Sequence, residues 1–138
     1  MLTDGRGVPL GVAVAGANRP DMKMVEATFE SIPIEQPIPT AEEPQNLCLD
    51  AGYAYDTVRD TIEEWGYTAH IRPRNEEAAQ KAHVPGFRAR RWVVERTHSW
   101  MNRFRRLLTR WDKKTENYLA FIHFACAWIA FRAAELFG

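Results

Sequence analysis

The C-terminal residues 118–137 are apolar on almost every side of the helix that their spacing predicts. Only His123, Arg132 and Glu135 interrupt this run, whereas a membrane-spanning helix needs about 20 predominantly apolar residues. We therefore expect a helix buried in a protein core rather than a helix that crosses a membrane. The chain has 138 residues, the size of one ordinary domain, which is long enough to form such a core.

Short apolar segments alternate with helical patterns in the N-terminal half. An Asp4-Gly5 pair precedes an apolar run at residues 8–15, and this combination predicts a β-hairpin. Only three residues precede Asp4, which leaves little for a first strand, so we expect the chain to start inside a domain.

Two amphipathic helices are also predicted in this half. Apolar residues recur at helical spacing after Asp21, a good N-cap residue, so one helix is predicted over residues 22–32. A second helix is predicted from Asp56 to a stop at Gly66. Its apolar face consists of Val58, Ile62 and Trp65.

Two further segments predict strands, a short buried one at residues 47–49 and another at residues 67–71. Polar stretches at residues 33–46 and 73–87 predict loops, the first of them rich in proline. The order of elements is therefore strand, helix, strand, helix, strand and then long helices. This order predicts an α/β fold with a central sheet.

The segment after residue 92 predicts a long helix with one apolar and one polar face. The apolar face, expected in the core, consists of Val93, Thr97, Trp100, Phe104, Leu108 and Trp111. The polar face consists of Arg88, Arg91, Glu95, Ser99, Asn102 and Arg106. The ordinary interpretation of this polar face is solvent contact, with Arg91 and Glu95 paired at i, i+4. Thr115 is a fair cap for the helix that follows.

A neutral total charge conceals two halves of opposite charge. Residues 1–80 hold 6 Lys or Arg and 14 Asp or Glu, a net charge of −8, whereas residues 81–138 hold 12 and 4, a net charge of +8. All eight basic residues between 82 and 112 are arginine, whose planar fork binds two phosphate oxygens at once. A polyanionic partner and neutralisation by the acidic half explain this pattern equally well, and some of the arginines must be structural.

Asp50 is the first candidate for chemistry. It follows an apolar strand, and carboxylates at the carboxyl ends of strands face the crevice where α/β proteins bind ligands. The ordinary alternative is a turn aspartate, because Asp-Ala-Gly is good turn material.

The cysteines and histidines narrow the classes of function. Cys48 and Cys126 lie far apart in apolar surroundings, which excludes a zinc ribbon and a disulfide framework. No pair of the four histidines has the HxxxH or HExxH spacing of a zinc hydrolase, and the chain has no glycine-rich phosphate loop.

Several segments, in order along nearly the whole chain, resemble the DDE-type transposases of bacterial insertion sequences. Asn-Leu-Cys-Leu-Asp-Ala-Gly-Tyr-Ala-Tyr-Asp at residues 46–56 resembles a family motif, and the arginine-rich block at residues 90–106 resembles the family's glutamate helix. Residues 3–10 and Gly16-Ala17-Asn18 are also similar to the family.

This resemblance implies a ribonuclease-H-like fold and metal-dependent phosphodiester chemistry. In the family, two aspartates and a glutamate hold two Mg²⁺ (or Mn²⁺) ions, one of which activates a water or a DNA 3′-hydroxyl while the other stabilises the leaving oxygen. By match, Asp50 is the second aspartate and Glu95 the glutamate, each both catalytic and metal-binding. The expected DNA-binding residues are Arg88, Arg91, Arg103 and Arg106.

The resemblance also implies partners. These are the DNA of the element ends and of the target, a missing N-terminal segment or an intact transposase, and a second copy of the chain, but no membrane. The implied location is the bacterial cytoplasm, in association with the nucleoid.

The chain departs from the family pattern in two places. The signature tyrosine is replaced by Arg88 and the signature lysine by Asn102, so Arg103 or Arg106 would orient the phosphate. The family's first aspartate lies on a strand upstream of the hairpin, and Asp4 is a poor substitute because it occupies the turn.

We therefore expect residues 1–138 to form the C-terminal part of a transposase catalytic domain. Its ribonuclease-H-like fold would be partial, with long C-terminal helices and without the first strand. The chain would then be a transposase that is incomplete on its own. The alternatives are an inactive fragment that binds DNA or transposase, and a remnant without function.

Overall fold

The computed structural model describes residues 1–71 and 92–134. For Trp92 it describes the backbone but not the side chain. The loop predicted at residues 73–87, Arg88 and Arg91 lie outside these residues. The chain divides into two compact units. Of the described residues, the first unit contains 1–14, 28–33 and 92–134, and the second contains 15–27 and 34–71.

A short hairpin opens the first unit. Strand β1 (Leu2–Thr3) pairs antiparallel with strand β2 (Pro9–Gly11). The Asp4 carboxylate organises the turn, because its Oδ1 accepts hydrogen bonds of 2.8 Å from the backbone N–H groups of both Arg6 and Val8. The predicted hairpin is confirmed, and the residues before Asp4 are enough to form its first strand.

Three helices make up the C-terminal part of the first unit. Numbered after the earlier helices α1 (Val25–Glu30) and α2 (Asp56–Glu64), they are α3 (Trp92–Met101), α4 (Arg105–Leu108) and α5 (Thr115–Ala133). The single long helix predicted from residue 92 is wrong, because the backbone becomes extended at Phe104 with φ −88° and ψ 98°. This break shifts the helical phase, so Leu108 and Trp111 are 59% and 77% exposed instead of buried.

Helix α5 buries one face and exposes another. Ile122 and Ile129 form a core cluster with Met101, against which Trp100 and Phe104 pack. On the outer side Phe124, Trp128 and Phe131 are exposed, so the prediction of a helix buried on all sides is wrong.

The start of α5 also differs from the prediction. Lys114 occupies the N-cap position without a side-chain capping bond, and Thr115 is the first helical residue. The Thr115 hydroxyl instead accepts a hydrogen bond from the Arg110 guanidinium. Among the helices of the described residues, none has the length and apolarity required to span a bilayer.

The second unit contains a strand–helix–strand arrangement. Strands β3 (Gln45–Leu49) and β4 (Tyr67–Ile71) are parallel, with Leu47 opposite Ala69, and helix α2 (Asp56–Glu64) connects them. Val58 and Ile62 of α2 are buried as predicted, whereas Trp65 lies past the helix end and is 41% exposed. As predicted, Gly66 stops the helix: it follows the C-cap residue Trp65, and its φ of +80° favours glycine.

The β3–β4 sheet has one covered and one exposed face. Leu47 and Ile71 are buried, whereas Cys48 and His70 are exposed on the opposite face, because successive side chains alternate across a sheet. The expected apolar surroundings of Cys48 are therefore wrong. Cys48 and Cys126 are both free thiols, which agrees with the absence of a disulfide framework.

The region before β3 is less regular than predicted. A 3₁₀ helix (Asp21–Met24) runs into helix α1 (Val25–Glu30), and the chain passes between the two units within α1. Pro20, not Asp21, is the N-cap residue, so the predicted aspartate cap is wrong.

The strands of the described residues form two two-stranded sheets instead of the predicted central sheet. One sheet lies in each unit. The mixture of helices and strands agrees with the α/β class.

A buried hydroxyl holds the hairpin against α3. Thr97 is fully buried, and its Oγ1 donates a hydrogen bond of 2.6 Å to the carbonyl of Gly7 and lies 3.2 Å from the carbonyl of Val93. Gly7 has a φ of +90°, and a Cβ there would lie 3.1 Å from the Thr97 Oγ1. Glycine thus allows the close approach that this hydrogen bond needs.

We expect Thr97→Val to lower the free energy of unfolding by about 1–3 kcal/mol, because it leaves the buried Gly7 carbonyl without its hydroxyl donor. Urea denaturation measures this change. Ser99→Ala, which removes an exposed hydroxyl from the same helix, is the control and should change stability by less than about 0.5 kcal/mol. Equal effects of the two substitutions would contradict the structural role of Thr97.

Candidate metal and nucleic-acid site

Asp50 lies at the carboxyl end of β3. It is the N-cap of a short 3₁₀ helix (Ala51–Tyr53), and its side chain accepts a hydrogen bond from the Ala51 backbone N–H. The residue is exposed. Asp50 therefore acts as a turn aspartate, and its exposed carboxylate is also accessible at the end of the strand.

A second carboxylate, that of Asp21, acts on the same tyrosine as Asp50. The two 3₁₀ helices pack against each other, which brings Asp21 and Asp50 to the same tyrosine. The pKa of Tyr53 is raised above 10.0, first by burial and then by the negative charges of Asp21 and Asp50. Sequence reasoning assigned Asp21 only to a helix cap and did not single out Tyr53, because no local spacing relates residues about thirty positions apart.

Glu95 lies in the first turn of α3 and is exposed. Its orientation follows from the helical period, because Thr97 lies about 200° further round the helix and faces the hairpin. A carboxylate in the first turn is also stabilised by the helix macrodipole. Glu95 therefore faces solvent, while the opposite face of α3 is held against the hairpin by the Thr97–Gly7 hydrogen bond.

The two predicted DNA-binding arginines within the described residues have different surroundings. Arg103 follows α3 and is exposed. Arg106 is 55% exposed, but its Nη2 lies 3.2 Å from the Asp112 Oδ1 and its guanidinium lies 4.5 Å from the centre of the Phe121 ring. Arg106 thus has a structural role, as expected for some of the arginines, while half of its side chain stays accessible.

The predicted metal ligands are not grouped within one unit. Asp50 belongs to the second unit and Glu95 to the first. Over residues 1–71 and 92–134, no three His, Cys, Asp or Glu side chains are grouped so that they could hold a metal ion. Asp4 is not a substitute for the family's first aspartate, because its Oδ1 accepts hydrogen bonds from two backbone amides of the hairpin turn.

We expect Asp50→Asn to lower the pKa of Tyr53, because removal of a nearby negative charge makes the phenolate easier to form. The pKa should stay above its ordinary value, since burial and Asp21 still act on the phenol. The pKa of Tyr53 is measured by following phenolate absorbance against pH. The same titration of a Tyr53→Phe variant is subtracted, which leaves the signal of Tyr53 alone. Asp60→Asn, an exposed position on α2, is the control, and an equal shift in both variants would contradict the proximity of Asp50 to Tyr53.

Comparison with known proteins identifies the family. Residues 47–132 match the family described as the transposase DDE domain. The chain is 30% identical over 140 residues to a Burkholderia cepacia protein described as a transposase for insertion sequence element IS402. The alignment covers 98% of this chain but 64% of that relative's length. No solved structure matches the chain. The family match includes both Asp50 and Glu95, and the chain belongs to the DDE transposases of bacterial insertion sequences.

Proposed function

We propose that this chain supplies the second aspartate and the glutamate of a transposase site that cuts and joins the DNA strands of an insertion sequence. The observation that carries the proposal is the pair of exposed carboxylates within the family match, Asp50 at the end of β3 and Glu95 at the start of α3. Each lies at the end of a regular element, which limits its motion. Both would act as ligands of divalent metal ions in a ribonuclease-H-like arrangement.

The donor types of the proposed site fit Mg²⁺ or Mn²⁺, because both carboxylates offer the oxygen ligands that hard cations prefer. Metal ions held by these carboxylates would supply activation of a water or a DNA 3′-hydroxyl and stabilisation of the leaving oxygen of the phosphodiester. The number of ligands does not fit, since the described residues contain no group of three. We therefore propose that a further carboxylate, from outside the described residues or from an intact transposase, completes the site.

The basic residues after Glu95 would hold the DNA backbone. Arg103 is exposed at the end of α3, and Arg105 and half of Arg106 are accessible just beyond it. Guanidinium groups bind phosphate oxygens in a bidentate manner. We propose that Arg103 and Arg106, together with Arg88 and Arg91, position the phosphates of the element ends and of the target DNA.

A second candidate function is DNA or transposase binding without chemistry. It is favoured by the exposed side chains of Arg103 and Arg105, which can hold phosphates whether or not a metal site is complete. In that case the chain would hold DNA or pair with an intact transposase. Metal binding that depends on both carboxylates distinguishes the two candidates.

Cleavage of the chain by bound iron tests the metal site. Fe²⁺ replaces Mg²⁺ at oxygen sites and, with ascorbate and peroxide, breaks the backbone close to its ligands. We expect cuts near residues 50 and 95 that excess Mg²⁺ suppresses. Asp50→Asn and Glu95→Gln should each weaken both cuts, because the two carboxylates share a metal site.

Glu116→Gln is the matched control for this experiment, since Glu116 is also an exposed first-turn glutamate. It should leave both cuts unchanged. If the two cuts respond independently, or if neither depends on a carboxylate, the shared metal site is wrong and the binding function is favoured.

The salt dependence of DNA binding tests the electrostatic role of the arginines. Each phosphate contact contributes about −0.9 to the slope of log affinity against log salt. We expect Arg103→Ala to reduce this slope by about 1 and to weaken binding to all sequences. Fluorescence anisotropy with a labelled duplex at several salt concentrations gives the slope.

Arg19→Ala removes an exposed arginine from the acidic half and should leave the slope unchanged. Asp50→Asn should not weaken DNA binding, because a carboxylate is not a phosphate contact. If the slope is unchanged in Arg103→Ala, Arg103 does not contact the DNA phosphates and its proposed role is wrong.

A further inference from the structure

The segment between α4 and α5 presents an exposed tryptophan. Trp111 is 77% exposed, the largest value among the exposed aromatic side chains of the described residues. Large aromatic side chains are usually buried for most of their area. The exposed indole of Trp111 therefore offers an accessible aromatic face on which a planar group of a partner can stack.

Both chain neighbours of Trp111 are held by the protein. The Arg110 Nη2 donates a hydrogen bond of 2.9 Å to the Thr115 hydroxyl, and its Nε donates one of 3.2 Å to the Asp112 carbonyl. The Arg110 guanidinium also lies 5.6 Å from the centre of the Tyr118 ring. These contacts fix the backbone on one side of the indole.

Asp112 fixes the other side. Its carboxylate is only 9% exposed, and its Oδ1 accepts a hydrogen bond of 3.2 Å from the Arg106 Nη2. Because Arg110 and Asp112 are both engaged with the protein, Trp111 between them is directed outward. The exposure of the indole thus comes from a defined loop conformation.

The surroundings of Trp111 are strongly basic. Residues 103–114 include six Lys or Arg and one acidic residue, Asp112, which is already paired with Arg106. Lys113 and Lys114 are exposed beside the indole. An exposed aromatic side chain among several cations is the combination with which proteins bind single-stranded nucleic acids, so these surroundings favour a polyanion as the partner.

We propose that Trp111 stacks on an unpaired DNA base while the neighbouring cations hold the adjacent phosphates. The inference rests on the proposed function, which places DNA strands on this chain. Every base has a π face, so an aromatic side chain in a basic surface binds single-stranded segments with little dependence on sequence. Strand cutting and joining produces such segments at DNA ends.

Binding of two DNA probes tests the stacking. One probe is a 12-base-pair blunt duplex and the other is the same duplex with a three-nucleotide single-stranded overhang. We expect Trp111→Ala to weaken binding of the overhang probe about fivefold or more, which is the lower end for loss of one stacked base, and that of the blunt duplex less than twofold. Trp111→Phe should keep most of the preference for the overhang.

The control is Trp65→Ala, which removes a 41% exposed tryptophan from the second unit and should change neither affinity. Thermal melting checks that Trp111→Ala is folded. Equal weakening of both probes, or no weakening of either, overturns base stacking, and a change of oligomeric state in sedimentation would assign Trp111 to a protein contact instead. If the unaltered chain binds neither probe, the DNA role in the proposed function fails as well.

Discussion

The hydrogen bond between the Thr97 hydroxyl and the Gly7 carbonyl determines how the candidate glutamate is presented. It joins the hairpin to α3 across 90 residues of sequence, in a position with no exposure to water. The helix surface at Thr97 is thereby turned inward, and the helical period turns Glu95 outward. A Cβ on Gly7 would crowd the Thr97 hydroxyl. Glycine at position 7 therefore helps to orient the Glu95 carboxylate on the opposite side of α3.

Local patterns predicted the elements whose signals lie within a few residues. The hairpin at Asp4-Gly5, the strands β3 and β4, and the end of α2 at Gly66 are confirmed for this reason. The prediction from helical spacing is wrong after Phe104. It assumed that one continuous helix fixes which side chains share a face, whereas the extended backbone at Phe104 ends that helix. The contact between the two 3₁₀ helices near Tyr53 also has no local signal, since it depends on how distant segments pack.

The candidate site could be predicted only with the help of the family resemblance. Pattern alone favoured a turn aspartate at Asp50 and a solvated helix face around Glu95 over chemistry, and the structure contains both of these ordinary features. A carboxylate can cap a turn and remain exposed, so the local role of Asp50 is compatible with a role as metal ligand. Arg106 likewise combines two roles, because its guanidinium pairs with Asp112 while about half of its side chain stays accessible to a phosphate.

The first unit is assembled from three separated stretches of sequence, with most of the second unit inserted between them. During synthesis at about 5–20 residues per second, the hairpin would wait roughly 5 to 20 seconds before Thr97 is made. A two-stranded hairpin is marginally stable alone in water. The strand–helix–strand arrangement of the second unit has all of its elements by residue 71 and can form in that interval. Synthesis therefore completes every described element of the aspartate-bearing unit before Glu95 is made.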